Sequence, residues 1–160
     1  MASQRRLVRI KALEVLYAYQ IGKDHLDKVK KDLLAELTDM DKYVFASDLI
    51  DAVLKHQRAL DLTIRKNINN WVFERVAVID KIIIRIGIAE LLFFPEIPPK
   101  ASINEAIELA KVYSTRKSPK FINGVLDAIL GNLRKENKLN KTGRGLIEFK
   151  NPDEDKEDEK

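Results

Sequence analysis

The chain has 160 residues, 45% hydrophobic and 34% charged, which suits one domain with its own core. It has no cysteine, which excludes disulfides and thiolate metal sites and agrees with a reducing cytoplasm. The net charge of +4 conceals an asymmetry: residues 151–160 hold six acids and two lysines, leaving 27 basic against 19 acidic side chains in the first 150, a weak pointer to a nucleic-acid partner.

The first predicted helix covers residues 4–21. Arg5, Arg6 and Arg9 fall within about 100° of one another on it, and no acid precedes Glu14. Lys11 points elsewhere, and Leu13, Leu16, Tyr17 and Ile21 supply apolar contact. The arginines suit either a solvated face or a phosphate-binding one, for which forked guanidinium donors are well shaped. Gly22-Lys23-Asp24 ends this helix. A second follows with Leu26, Val29, Leu33, Leu34 and Leu37 inward. Thr38-Asp39 is a cap signal opening one long helix over residues 40–67. Tyr17 and Tyr43 read as packing residues with exposed hydroxyls. His25 and His56 lack ligand spacing, so no metal site is expected.

A polar junction, Asn67-Ile68-Asn69-Asn70-Trp71, marks the seam between two helical halves. Trp71 reads as a packing anchor rather than a stacking platform. Residues 77–94 are apolar almost all round, which places that helix at the centre, although the β-branched run has strand propensity. Arg85 and Glu90 interrupt it too often for lipid, and Pro95, Pro98 and Pro99 end it. No stretch is apolar enough to span a membrane, and the start of the chain has no signal-peptide character. Asp80 sits where a helix dipole favours an acid.

Ser102 with Glu105 reads as a capping box that starts the next helix, with Ile103, Ala106, Ile107 and Ala110 inward. Ser118-Pro119 starts the last one. Ile122, Val125, Leu126, Ile129 and Leu133 are its buried stripe. Gly124, Ala128 and Gly131 lie on another side with Phe121, where a neighbouring backbone could approach. The basic loop Arg116-Lys117-Ser118-Pro119-Lys120 surrounds a first turn whose N–H groups favour an anion. Phe121 there either packs in the core or meets a ligand. Glu105 and Glu108 share a face, but the capping box and a pair with Lys111 account for them. With no glycine-rich phosphate loop, nucleophile elbow or cysteine nucleophile, neither catalysis nor a cofactor is expected. Residues 136–160 read as a charged, disordered tail whose acids screen the basic face.

Ile103-Asn104-Glu105-Ala106-Ile107-Glu108-Leu109-Ala110-Lys111, followed by Lys120-Phe121-Ile122-Asn123-Gly124-Val125-Leu126-Asp127, resembles the signature of the NusB transcription antitermination family. Arg5-Arg6-Leu7-Val8-Arg9 leading to Leu16-Tyr17, Asn70-Trp71, and Ile79-Asp80-Lys81 through Arg85 to Glu90-Leu91 match it too. The similarity covers roughly residues 5–135 and is strongest from Trp71 to Asp127. It implies an all-α fold of two packed three-helix-type bundles, about residues 4–70 and 71–135, forming one compact domain. It also implies a factor that binds single-stranded boxA RNA with the ribosomal small-subunit protein NusE. The assembly then makes RNA polymerase read through terminators, notably in ribosomal RNA operons. Arg5, Arg6, Arg9, Tyr113, Lys117, Ser118, Lys120 and Phe121 would contact RNA, with Phe121 and Tyr113 stacking on an unpaired base. Tyr17 and Asp80 would face the partner protein. Relatives can carry an acid at the position of Lys117, so a lysine there suggests tighter or less selective contact. Two alternatives are an accessory domain of RNA methylation machinery and a self-associating helical protein that masks its arginines in a homodimer.

Overall fold

The computed structural model describes residues 2–69 and 71–147. Within them the chain is all-helical: α1 (Ala2–Ile21), α2 (Leu26–Leu33), α3 (Met40–Lys55), α4 (Gln57–Lys66), α5 (Val78–Phe93), α6 (Pro99–Tyr113) and α7 (Ser118–Lys135), with short 3-10 turns at Phe73–Arg75 and Gly143–Leu146. None of these helices is long and apolar enough to cross a membrane.

The apolar run of the fifth helix has the consequence expected of it. Every residue from Ile82 to Leu91 is buried, and α5 packs against α1, α3, α4, α6 and α7. Burial on all sides overrides the strand propensity of its isoleucines, because helix geometry satisfies the backbone internally while every face meets apolar neighbours. Gly87 lies close against α7: a Cβ there would stand 3.0 Å from a methyl of Leu126. The two charges in the middle of this helix, Arg85 and Glu90, are both paired. Arg85 donates to Asp61 of α4 at 2.7 and 3.1 Å. Glu90 accepts from Arg9 of α1 at 2.9 and 3.1 Å and from the Ser102 hydroxyl of α6 at 3.1 Å. Three helices are thus tied to the centre by polar contacts inside the core.

Several boundaries differ from the expectations. Residues 40–67 form two helices rather than one. The break falls at His56 (φ −107°, ψ 12°), whose ring stacks on Phe93 with centroids 4.2 Å apart. Asp39 caps α3 as expected, accepting from the N–H groups of Asp41 and Lys42. The capping box does not form. Pro98 and Pro99 begin α6 one turn earlier, which leaves Ser102 inside the helix bonding to Glu90 and frees Glu105 to pair with Arg6. The small-residue side of α7 receives no neighbour: a Cβ at Gly124 or Gly131 would meet nothing within 4 Å.

The tail expectation needs correction for residues 136–147. Lys138 N–H bonds to the Leu133 carbonyl, and Leu139 packs on the core. The Lys141 ammonium then donates to the carbonyls of Glu90 and Phe94 at 3.0 and 2.9 Å. Both carbonyls also accept a backbone N–H, from Phe94 and Ile97 respectively, so the ammonium adds a second hydrogen bond to each at the end of α5. Burial pushes this ammonium below the usual lysine range. Gly145 sits so close to Pro95 that a Cβ would lie 1.9 Å from its carbonyl oxygen. The composition of this segment suggested a solvated tail, but Leu139, the Lys141 ammonium and a Thr142 N–H bond to the Pro95 carbonyl hold it against the end of α5. Residues 148–160, with the acidic run, lie outside the described residues.

Candidate nucleic-acid interface

The predicted site residues separate into two groups with different surroundings. The first is on α1. Arg9 is only 3% exposed and its partner Glu90 1%. Burial alone would lower the Arg9 pKa, but attraction and hydrogen bonds from Glu90 outweigh it, so the guanidinium is held above its ordinary value. Arg9 is therefore a structural cation, and the expectation that it meets phosphate is corrected. Arg6 donates to both oxygens of Glu105 at 3.0 and 3.1 Å yet remains 43% exposed. Its hydrogen bonds to Glu105 raise its pKa. Arg5 is exposed with its guanidinium 5.4 Å from the Phe45 ring centroid. The acids that answer Arg6 and Arg9 come from α6 and α5, so inspection of the local sequence could not reveal them.

The second group is built where α6 turns into α7. Asp80, in the first turn of α5, is 6% exposed. Its carboxylate accepts from the hydroxyls of Ser114 at 2.5 Å and Ser118 at 2.8 Å. Ser118 Oγ also lies 2.8 Å from Ser114 Oγ and 2.9 Å from Thr115 Oγ1. A buried carboxylate that engages hydroxyls on both sides of the turn fixes the loop between the helices. Ser118, 3% exposed, thus orients the loop and does not offer its hydroxyl to RNA. Asp80 does not present a free acid to a partner protein either. Tyr17 stands exposed on α1, and among the described residues no hydrogen bond joins it to Asp80.

Above this network opens a cleft of about 710 Å³. Its lining includes Trp71, Arg75 and Asp80 from the segment before α5 and the start of α5, and Arg116, Lys117, Lys120 and Phe121 from the α6–α7 turn. Lys117 and Lys120 are exposed, and Phe121 is half-buried with its ring 5.1 Å from that of Trp71. Trp71 is 59% exposed. It stands at the surface against Phe121 and is not the buried packing anchor expected. Tyr113, at the end of α6, is exposed outside the cleft lining. The helix N-terminus contributes less than expected to anion binding. Pro119 has no N–H, Ser118 N–H bonds to Thr115, and Phe121 N–H bonds to Lys117. The positive charge of the cleft is therefore carried by side chains. Trp71 and Arg75 are absent from the sequence-based selection, and Arg116 entered it only as part of the basic loop; the single tryptophan beside a polar run was the available signal.

The NusB family profile matches residues 6–131, most of the chain and all of the elements that build both groups. This chain belongs to the NusB family. The transcription antitermination protein NusB of Chloroherpeton thalassium is 44% identical over 151 residues, 93% of this chain and 72% of that one. Its counterpart in Salinibacter ruber is 42% identical over 91% of this chain and 92% of its own. Among solved structures, T. maritima NusB superimposes with a TM-score of 0.74 at 31% identity, covering 79% of this chain and 90% of that one. A crystal structure of the antitermination factors NusB and NusE in complex with dsRNA gives a TM-score of 0.73 at 28% identity, covering 82% and 99%. The family likeness therefore extends across the NusB fold and is not confined to one motif.

Proposed function

We propose that this chain is a transcription antitermination factor that binds boxA RNA together with the ribosomal protein NusE and promotes readthrough by RNA polymerase, notably in ribosomal RNA operons. It acts in the cytoplasm as a scaffold, without catalysis or cofactor. The observation that carries the RNA contact is the cleft beside the α6–α7 turn. Two aromatic rings there stand among exposed cations, the combination that single-stranded nucleic acid requires. Arg5 and Arg6 on α1 extend the basic surface. Arg6 is linked through Glu105 to α6, whose C-terminal end is about 12 Å away, eight residues further at 1.5 Å each.

The test is fluorescence anisotropy of a labelled boxA-like single-stranded RNA and a scrambled control, with and without NusE, at two salt concentrations. Preference for boxA that tightens with NusE and is lost when Lys117 and Lys120 become alanine supports the reading. Equal, weak, partner-independent binding of both RNAs overturns it.

A further inference from the structure

Arg6, Arg9, Arg65 and Arg85 each meet a carboxylate at 3.0 Å or less. The cations of the cleft do not. Among the described residues no acid lies within ion-pairing distance of Arg75, Arg116, Lys117 or Lys120. Asp80, the carboxylate of the cleft lining, is engaged by the hydroxyls of Ser114 and Ser118 and pairs with none of them. Four like charges around one opening repel each other and attract a polyanion.

The same chain carries one. Asp153, Glu154, Asp155, Glu157, Asp158 and Glu159 stand among only two lysines, Lys156 and Lys160. Where this run is rooted follows from the strap. Lys141 donates to the carbonyls of Glu90 and Phe94, Thr142 N–H bonds to the Pro95 carbonyl, and Ile147 N–H to that of Arg144. Ile147, the last described residue, is therefore held near the C-terminal end of α5, while Asp80 marks the cleft in the first turn of the same helix. From Asp80 to Phe93 is about 20 Å, thirteen residues at 1.5 Å each. Asp153 is six residues beyond Ile147 and Glu159 twelve, so at about 3.3 Å per residue they reach roughly 20 and 40 Å from the root. The acids span the distance to the cleft, with slack for a path over the surface. The groove lined by Lys55, Arg58, Asp61 and Arg65 suits them less, because it holds an acid of its own and Arg65 is taken by Glu74.

We propose that the acidic run of residues 153–159 seats on the cleft when RNA is absent, its carboxylates resting on Arg75, Arg116, Lys117 and Lys120. The run is then a tethered competitor whose local concentration does not depend on dilution of the protein. Each contact is exposed and screened by salt, so the seat is weak and reversible. The run has no aromatic residue and gains nothing from Trp71 and Phe121, so a ligand that adds base stacking displaces it. The seat stands on charge and reach; its effect on RNA rests on the RNA-binding reading above.

Three chains test this: the full chain, one ending at residue 147, and a full-length variant with D153N, E154Q, D155N, E157Q, D158N and E159Q. Carbodiimide, which joins a carboxylate to a lysine amine in contact with it, is first applied to the dilute full chain without RNA. Mass spectrometry of the monomer should find residues 153–159 joined to Lys117 and Lys120. Anisotropy of boxA-like single-stranded RNA with NusE should then show the shortened and neutralised chains binding about 3- to 10-fold tighter than the full chain at low salt, with the gap closing at high salt. Circular dichroism should show all three melting alike, since the strap is kept. Cross-links confined to other lysines, Lys55 among them, overturn the seat. Equal affinity of the three chains at low salt overturns the competition, as does a gain on shortening that the neutralised chain lacks. No anisotropy change with any chain overturns the RNA-binding reading instead, and the cross-links then decide the seat by themselves.

Discussion

The chain has two clusters of cations, and they differ in what answers their charge. On α1, Arg9 is closed within the core by Glu90, and Arg6 is clasped by Glu105 at the surface. Around the α6–α7 turn, Lys117 and Lys120 face an open cleft beside two aromatic rings. Both segments look alike in sequence: short, basic and free of nearby acids. The difference lies in the tertiary partners. A basic segment becomes structural where other helices deliver carboxylates to it and remains available for a ligand where they do not. A charge run is therefore informative about function only after its long-range partners are known.

The comparison breaks first at Glu90. Replacing Glu90 with Ala would leave Arg9 buried without its counter-charge, and we expect a loss of about 3–5 kcal/mol in denaturant unfolding. A loss below about 1 kcal/mol would show that Arg9 escapes to solvent and belongs with the ligand-facing cations. Next is Ser118→Ala, which removes a hydroxyl donated to a buried carboxylate and should cost about 1.5–3 kcal/mol by the same measurement. Unchanged stability would mean that the Asp80 network does not hold the turn. Lys117→Asp sharpens the other side. RNA affinity should fall about tenfold or more by anisotropy, with the melting temperature unchanged, because Lys117 is exposed and among the described residues has no ion-pair partner. A shift in stability instead of affinity would erase the distinction between the clusters. The smallest effect belongs to Arg6→Ala. Its pair is half in solvent, so the change in stability should stay under about 1 kcal/mol. Its RNA affinity then decides whether Arg6 divides its time between Glu105 and phosphate.

Much of the fold was legible because hydrophobic period survives any tertiary arrangement. The central position of α5 followed from its isoleucines, and the start of α7 from Ser118-Pro119. The misread elements share a cause: a local signal met a stronger non-local one. Ser102 and Glu105 have capping-box spacing, but Glu90 and Arg6 claim them from other helices. The helix over residues 40–67 breaks at His56, where no proline or glycine announces it and where the ring finds Phe93 of α5. In the cleft, Lys120 and Phe121 belong to the signature and Lys117 to the basic loop before it, so all three were already in view from local sequence. The roles of Arg9, Asp80 and Ser118 as internal contacts depend on residues from 34 to 81 positions away. Trp71 was misjudged because a lone large aromatic is ordinarily buried, and only the geometry shows it standing open.

The strap of residues 138–145 bears on how the chain is made. Lys141 closes the carbonyl end of the central helix, and Gly145 lies against Pro95. These residues are synthesised after all seven helices, yet they bond the end of the element around which the others pack. A nascent chain that folds from its N-terminus would therefore assemble its helices before Lys141 reaches the end of α5, and would lock only when residues near 145 leave the ribosome. A fusion partner joined at residue 135 would leave that lock unmade, whereas one joined after residue 147 would leave it intact.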